Sequence, residues 1–165
     1  MMQTTDQSSD NYFKTIQIIH AVLVLGVLIF AGMIGLNNFL GIEFSDVLAA
    51  DLHIILLAAA LLSSLTGVAV SSFFYKKRLA DILKMKTLKN KLENYRSLLL
   101  VRYVLVEGPA MFCVVTLMLT NRLEVLPILI VPISYLIYIR PTKDNIITEL
   151  CLDYKELEEL KQISL

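Results

Sequence analysis

The residue best suited to chemistry in this sequence is Glu107, a carboxylic acid in the middle of a long apolar segment. A charged side chain at the centre of a bilayer costs about 2.5–3.5 kcal/mol or more, and desolvation favours the neutral acid. We therefore expect Glu107 to be protonated near neutral pH, as exchange of a proton or a cation requires. The alternative is a permanently protonated acid that forms a structural hydrogen bond to a neighbouring helix.

Tyr103 and Pro109 are expected to act on Glu107, and Glu107, Tyr103 and Arg102 form the predicted ion- or proton-binding site. Tyr103 precedes Glu107 by one helical turn, so its hydroxyl is predicted to donate to the carboxyl. Pro109 lacks an N–H and should leave the carbonyl of Leu105 as a free acceptor beside Glu107. Arg102 is rotated by about 500° from Glu107, so it should extend to the headgroups or pair with another helix.

The sequence contains no other arrangement that indicates catalysis. Glycine-rich phosphate loops, nucleophilic serine motifs and zinc-binding helices are absent. His20 and His53 each stand alone, so a structural role is expected for both. Cys113 and Cys151 have no metal-ligand companion and are predicted to be free thiols. We therefore predict no enzyme activity, no cofactor and no metal site.

Four apolar segments are expected to position these residues. Hydrophobic residues make up 56% of the 165 residues, and the mean hydropathy is +0.68. Such a chain is predicted to be all-α, an integral membrane four-helix bundle in a single domain, with cytoplasmic amphipathic helices. The predicted spans are residues 15–36, 52–75, 97–119 and 125–139. The last would cover only about 22 Å as a helix, so a re-entrant segment is the alternative.

Two charged segments flank these spans. The loop 76–96 is basic and the tail 140–165 is acidic, and both show amphipathic helical spacing. Thr142 is the predicted N-cap of the tail helix, and Ile147, Leu150, Tyr154 and Leu157 should line one face of it. We expect the two segments to dock on each other, with anionic lipid as a rival partner of the loop.

The remaining segments are predicted to be irregular. Residues 1–12 are polar and are interpreted as a disordered tail that precedes a retained first span. The short segment 39–51 is acidic and lacks Lys and Arg.

The distribution of basic residues predicts the orientation. Of the fifteen Lys and Arg, thirteen flank the spans on one side if there are four spans. Positive residues in short loops favour the cytoplasm, so both termini should be cytoplasmic in the inner, or plasma, membrane. Net charge is zero, which gives no reason to expect nucleic acid as a partner.

The second segment is rich in small residues at a spacing of four. Ala60 and Ser64 form one such pair, and Ser63 and Gly67 form another. Small residues at this spacing let helix backbones approach closely. They predict either tight packing within one chain or an interface between copies in a homo-oligomer, and the sequence does not choose between them.

Residues 96–120 resemble the carboxylate-bearing helix of the rotor-ring c subunit of F-type ATP synthases. Arg96, Ser97, Glu107, Gly108 and Ala110 are in register with that helix. The resemblance covers about 25 residues and implies that Glu107 is an ion-binding acid. As a whole, the chain resembles a small bacterial family of four-span membrane proteins of unassigned function.

Together these patterns predict a polytopic membrane protein that handles protons or cations through an intramembrane carboxylate. Its expected partners are the lipid bilayer and either further copies of itself or another membrane subunit. The alternative is a non-transporting scaffold or assembly subunit in which Glu107 is structural.

Overall fold

The structure, a computed structural model, describes residues 6–41 and 50–162, and most of these residues are helical. This confirms the all-α prediction, since these residues contain no strand. A short 3₁₀ turn, Leu123–Val125, precedes the fourth helix. The helices are α1 (Asp6–Phe39), α2 (Ala50–Ile82), α3 (Leu88–Thr120), α4 (Leu126–Tyr138), α5 (Lys143–Glu149) and α6 (Tyr154–Gln162).

Three helices, α1, α2 and α3, are long and apolar enough to cross a membrane. Helix α4 is shorter than these three; with α5, from which it is bent by 78° at the break between them, it forms a pair that is long and apolar enough to count as a fourth crossing. Large apolar side chains on the outer faces, among them Ile29, Ile54 and Phe73, are mostly exposed. Helices that are apolar on all sides are typical of segments surrounded by lipid.

Helix α4 returns the chain from one end of the bundle to the other. It starts near Glu124, whose carboxylate lies 3.7 Å from the Nε2 atom of His53 at the start of α2. Near its end, the carbonyl of Leu136 lies 2.9 Å from Nε2 of His20 in the first half of α1. The chain after α4 therefore lies at the end of the bundle where α1 begins, which we call the basic end.

The predicted basic loop 76–96 is not a separate helix. Helix α2 continues to Ile82, α3 begins at Leu88, and only the short connection between them is irregular. The apolar residues do recur at helical spacing, as predicted. They belong to the end of α2 and the beginning of α3 and not to a separate helix. Extending an existing helix adds one hydrogen bond per residue, whereas a new helix needs a costly nucleus.

The prediction of a disordered tail at residues 1–12 is wrong for its second half, because α1 already begins at Asp6. Tyr12 is buried there, and its hydroxyl donates to the carbonyl of Leu92 at 2.7 Å. This hydrogen bond to the first turns of α3 holds the start of α1 in place. Outside the described residues lie 1–5, 42–49 and 163–165. The range 42–49 contains most of the acidic segment 39–51.

The acidic tail forms two helices where one was predicted. Thr142 is the N-cap, as expected, and its hydroxyl accepts from the backbone N–H of Asn145 at 3.3 Å. The chain then breaks at Cys151, which has a left-handed φ of 48°. Because of the break, the buried apolar residues are Ile146 and Leu150, whereas Tyr154 is exposed.

Helix α6 docks on the beginning of α1 and α3, which confirms that the tail and the basic segment meet. The contact contains an ion pair, in which Nζ of Lys91 lies 2.6 Å from Oε1 of Glu156. Lys91 is almost completely buried. A buried ammonium group needs such a partner, so this pair fixes where α6 can sit.

The small residues of α2 pack against α3 within the chain. Ala60, Ser64 and Ser71 are buried on this face, and the Ser64 hydroxyl lies 3.3 Å from Sγ of Cys113. A β-carbon on Gly67 would lie 2.5 Å from Cγ of Pro109, which is too close for any residue but glycine. Of the two predicted uses of this face, packing within one chain is the one found here.

Candidate functional site

Glu107 lies on α3 at the edge of the packed core. Val106 and Ala110 beside it are buried, whereas Val104 is exposed and Gly108 faces open space. The Glu107 side chain is only partly covered. Within the described residues it forms no hydrogen bond and no ion pair, so its carboxyl is left without a partner in the single chain.

Tyr103 does not donate to Glu107, contrary to the prediction. Tyr103 is completely buried, and its ring packs edge-on against the ring of His20 with 4.9 Å between the ring centroids. Its hydroxyl has no hydrogen-bond partner among the described residues. Helical side chains lean toward the N-terminus of their helix, so the long Tyr103 side chain extends away from a residue one turn later.

The carbonyl freed by Pro109 is also not beside Glu107. A β-carbon on Gly67 would lie 2.8 Å from the carbonyl oxygen of Leu105, which places that oxygen against α2. At about 100° per residue, Leu105 and Glu107 are roughly 200° apart around α3. The predicted acceptor therefore serves the α2–α3 contact.

Arg102 faces away from Glu107, as the helical rotation predicts. Its guanidinium carbon lies 3.9 Å from the ring centroid of Tyr75, and Nη2 donates to the hydroxyl of Tyr135 at 3.1 Å. Of the two alternatives for Arg102, pairing with other helices is the one observed, and the partners are aromatic. The three residues of the predicted site, Glu107, Tyr103 and Arg102, are thus not brought together.

The structure contains a second polar cluster, which sequence reasoning missed. The carboxylate of Glu149 on α5 accepts a hydrogen bond from the hydroxyl of Tyr95 at 2.5 Å and another from the hydroxyl of Tyr75. The two hydroxyls are 3.3 Å apart. The available signal was that Tyr75 ends one long apolar segment and Tyr95 lies just before the next, where amphipathic aromatic residues need polar partners.

Arg102 connects this cluster to α4, because its guanidinium stacks on Tyr75 and donates to Tyr135, which belongs to a second set of hydrogen bonds. The Ser72 hydroxyl donates to the carbonyl of Val68 at 2.9 Å and lies 2.7 Å from the hydroxyl of Tyr135. Since a serine has one proton, Tyr135 donates to Ser72 while accepting from Arg102. A cavity of about 470 Å³ adjoins these groups at the basic end.

His20 lies beside Tyr103 of the predicted site, whereas His53 is separate from both sites. His20 is buried and bonds the carbonyl of Leu136, so Nε2 carries its proton. His53 lies at the other end near Glu124. Across the described ranges, His, Cys, Asp and Glu form no group of three that could hold a metal ion.

Comparison with protein-family models, with curated proteins and with solved structures finds no match to this chain. The fold and the sites define its class: an all-helical chain with three to four apolar helices suited to a membrane and two distinct carboxyl environments. Its function has to be inferred from side-chain geometry.

Proposed function

We propose that this chain is a polytopic membrane protein that handles protons or cations through Glu107. In this proposal α4 is the fourth span of the bundle, and the basic end faces the cytoplasm together with both termini. The distribution of the basic residues supports this orientation. The return of the chain to the basic end after α4 supports the fourth span.

The observation that carries the proposal is the unpaired state of Glu107 among the described residues. Buried polar groups with a structural role are nearly always hydrogen-bonded. A carboxyl without a partner, in the middle of an apolar helix, stabilises neither the helix nor its packing. Its position is therefore better explained by a task that requires the acid to change its protonation state or its ligand.

A polar cavity beside His20, which contacts Tyr103, lies at the basic end. It has a volume of about 320 Å³ and is lined by Lys14, Gln17 and His20, among other residues. The ring of His20 contacts Tyr103, which lies one helical turn from Glu107. Because the Tyr103 side chain is completely buried and extends away from Glu107, the ion reaches the carboxyl in this proposal from the open side of α3 and not through Tyr103.

The open side of Glu107 is where a further subunit would complete the site. Val104 and Gly108 beside it face outward. A second copy or another membrane subunit could cover this side of α3 and supply the missing partner. The rival function, a non-transporting scaffold, requires that such a partner only hydrogen-bonds a protonated Glu107.

Reconstitution in liposomes separates the two functions. The wild-type protein should carry protons, Na⁺ or K⁺ down an imposed gradient, and Glu107→Gln should abolish the flux because an amide cannot ionise. Glu107→Asp should keep part of it. Glu124→Gln is the matched control, because that carboxylate is largely exposed at the opposite end. A Glu107→Gln variant with wild-type flux, or wild-type protein without flux of any of the three ions, overturns the proposal.

A carbodiimide provides a chemical test of the same residue. It should modify wild-type protein more readily at low pH, since it reacts with the protonated acid, and should leave Glu107→Gln unmodified at this position. Equal labelling of the two proteins would show that the reaction occurs elsewhere.

Cysteine accessibility tests the orientation. In a Cys151→Ser background, cysteines at Lys86 and Gln162 should be protected from an impermeant thiol reagent in intact cells. A cysteine at Phe44, which lies outside the described residues, should be labelled. Labelling at Gln162 but not at Lys86 would mean that α4 is re-entrant.

A further inference from the structure

The cavity of about 470 Å³ at the basic end lies between α2, α3, α4 and the tail. Its volume falls in the range of about 300–1,000 Å³ that is usual for small-molecule sites. Its charged lining residues are Lys76, Arg102, Arg140 and Glu149. Three cations and one carboxylate leave a formal excess of two positive charges, which indicates an anionic ligand.

Arg102 is the residue in this cavity that most needs an anion. A guanidinium group is charged at all accessible pH values and has five N–H donors. The described residues give Arg102 no ion pair, and its Nε–H is buried without an acceptor. Stacking on Tyr75 and one hydrogen bond to Tyr135 compensate only part of the cost of burying such a charge.

The one carboxylate of the cavity does not fill this role. The Glu149 carboxylate already accepts hydrogen bonds from the hydroxyls of Tyr75 and Tyr95. Glu149 thereby orients Tyr75, and the ring of Tyr75 holds the Arg102 guanidinium at 3.9 Å. The result is a guanidinium held in a fixed position with N–H groups left for a ligand.

We propose that this cavity binds a phosphate-type anion between Arg102, Arg140 and Lys76. Arginine forms paired hydrogen bonds with phosphate oxygens, and a phosphate monoester carries about two negative charges near neutral pH. The same chemistry is offered by a soluble phosphate and by the headgroup of an anionic phospholipid. The exposed Tyr138 also lines the cavity, which therefore opens beside the outer face of α4, where acyl chains would lie.

Thermal unfolding of the full chain in a neutral detergent tests the proposal. Two probes are compared: inorganic phosphate, and mixed micelles of the detergent with phosphatidylglycerol, using phosphatidylcholine as the neutral reference. At least one probe should raise the Tm of wild-type protein. Stabilisation by phosphate identifies a soluble ligand, and stabilisation by phosphatidylglycerol alone identifies a lipid headgroup.

Variants assign the effect to the cavity. Arg102→Gln and Arg140→Gln should each weaken the apparent affinity for the effective probe about tenfold or more, the usual loss for a charge-assisted hydrogen bond. Arg122→Gln removes the same charge at the opposite end and should leave the affinity unchanged. If Arg102→Gln does not fold, Arg140→Gln decides, because its side chain is exposed and carries no described hydrogen bond. No Tm shift with either probe, or equal losses in Arg122→Gln and Arg140→Gln, overturns the proposal.

Discussion

Two carboxyl groups of this protein, those of Glu107 and Glu149, occupy opposite kinds of environment. Glu107 lies in the apolar part of α3, partly covered and without a partner in the described chain. Glu149 lies in the short helix α5 at the basic end and accepts from two buried tyrosine hydroxyls. An acid whose hydrogen bonds are complete stabilises the fold, whereas one without a partner adds no stability. The difference separates a structural acid from a candidate functional one.

The largest expected effect tests the structural half of this comparison. Glu149→Leu removes the charged acceptor of the Tyr75 and Tyr95 hydroxyls, and a hydrogen bond to a charged group contributes about 1.5–3 kcal/mol. One hydroxyl can still donate to the other, 3.3 Å away, so only one of them is left unpaired. We expect the free energy of unfolding to fall by about 2–4 kcal/mol, measured by equilibrium unfolding in mixed micelles. Glu158→Leu, at an exposed position of α6, is the control and should have little effect. A loss under about 0.5 kcal/mol, as at ordinary surface sites, would show that Glu149 is not structural.

The next prediction tests which side of α3 packs against the rest of the bundle. Gly67→Ala forces a β-carbon against Pro109 and the carbonyl of Leu105, on the side away from Glu107. Overpacking of this kind costs about 1–3 kcal/mol. Gly108→Ala is the matched control, because a β-carbon there meets open space. Similar destabilisation by both substitutions, measured by the same unfolding assay, would contradict a one-sided attachment of α3.

A smaller effect is expected where α6 docks at the basic end, beside the structural acid. Lys91→Met replaces the buried ammonium group by an apolar side chain of similar length and leaves the Glu156 carboxylate, which keeps 22% exposure to water, without its partner. Because water can reach that carboxylate, the docking of α6 should weaken by only about 1 kcal/mol. Limited proteolysis should then cut within α6 faster than in the wild type. Lys89→Met is the control, because the pair of Lys89 with Glu93 is long, at 4.0 Å, and exposed. Equal cleavage rates in wild type and Lys91→Met would mean that apolar contacts alone hold α6.

The smallest change in stability is expected at Glu107 itself. Glu107→Leu removes no hydrogen bond of the described chain and replaces a polar group by an apolar one in an apolar helix. The free energy of unfolding should stay within about 0.5 kcal/mol of the wild type or rise. Destabilisation as large as that of Glu149→Leu would erase the contrast between the two acids and favour the scaffold function.

Local chemistry in the sequence was enough for several conclusions. The apolar segments predict α1, α2 and α3, since a helix satisfies all its backbone groups within one segment. Thr142 was correctly identified as an N-cap from its type and position alone. The rotation between Arg102 and Glu107 also follows from helix geometry, which is the same in every helix.

Contacts between distant residues could not be predicted in this way. The predicted Tyr103–Glu107 hydrogen bond used the correct spacing, but the direction of the side chain and the packing of His20 prevent it. Glu149 looked like any acid of a charged tail, because its partners Tyr75 and Tyr95 are 74 and 54 residues away in the chain. The break at Cys151 likewise gave no signal, since cysteine does not favour a left-handed conformation.

By itself, then, the sequence determined the helical class, the apolar helices and the position of an unusual acid among apolar residues, because composition and periodicity are local properties. The tertiary structure decided which polar groups meet. Only the packing of α2, α3, α4 and α5 places Arg102 over Tyr75 and gives Glu149 its two donors. The same packing leaves Glu107 at an open edge of α3. The reason is physical: a hydrogen bond depends on ångström-scale distances and on direction, and these arise only when helices distant in sequence are in contact.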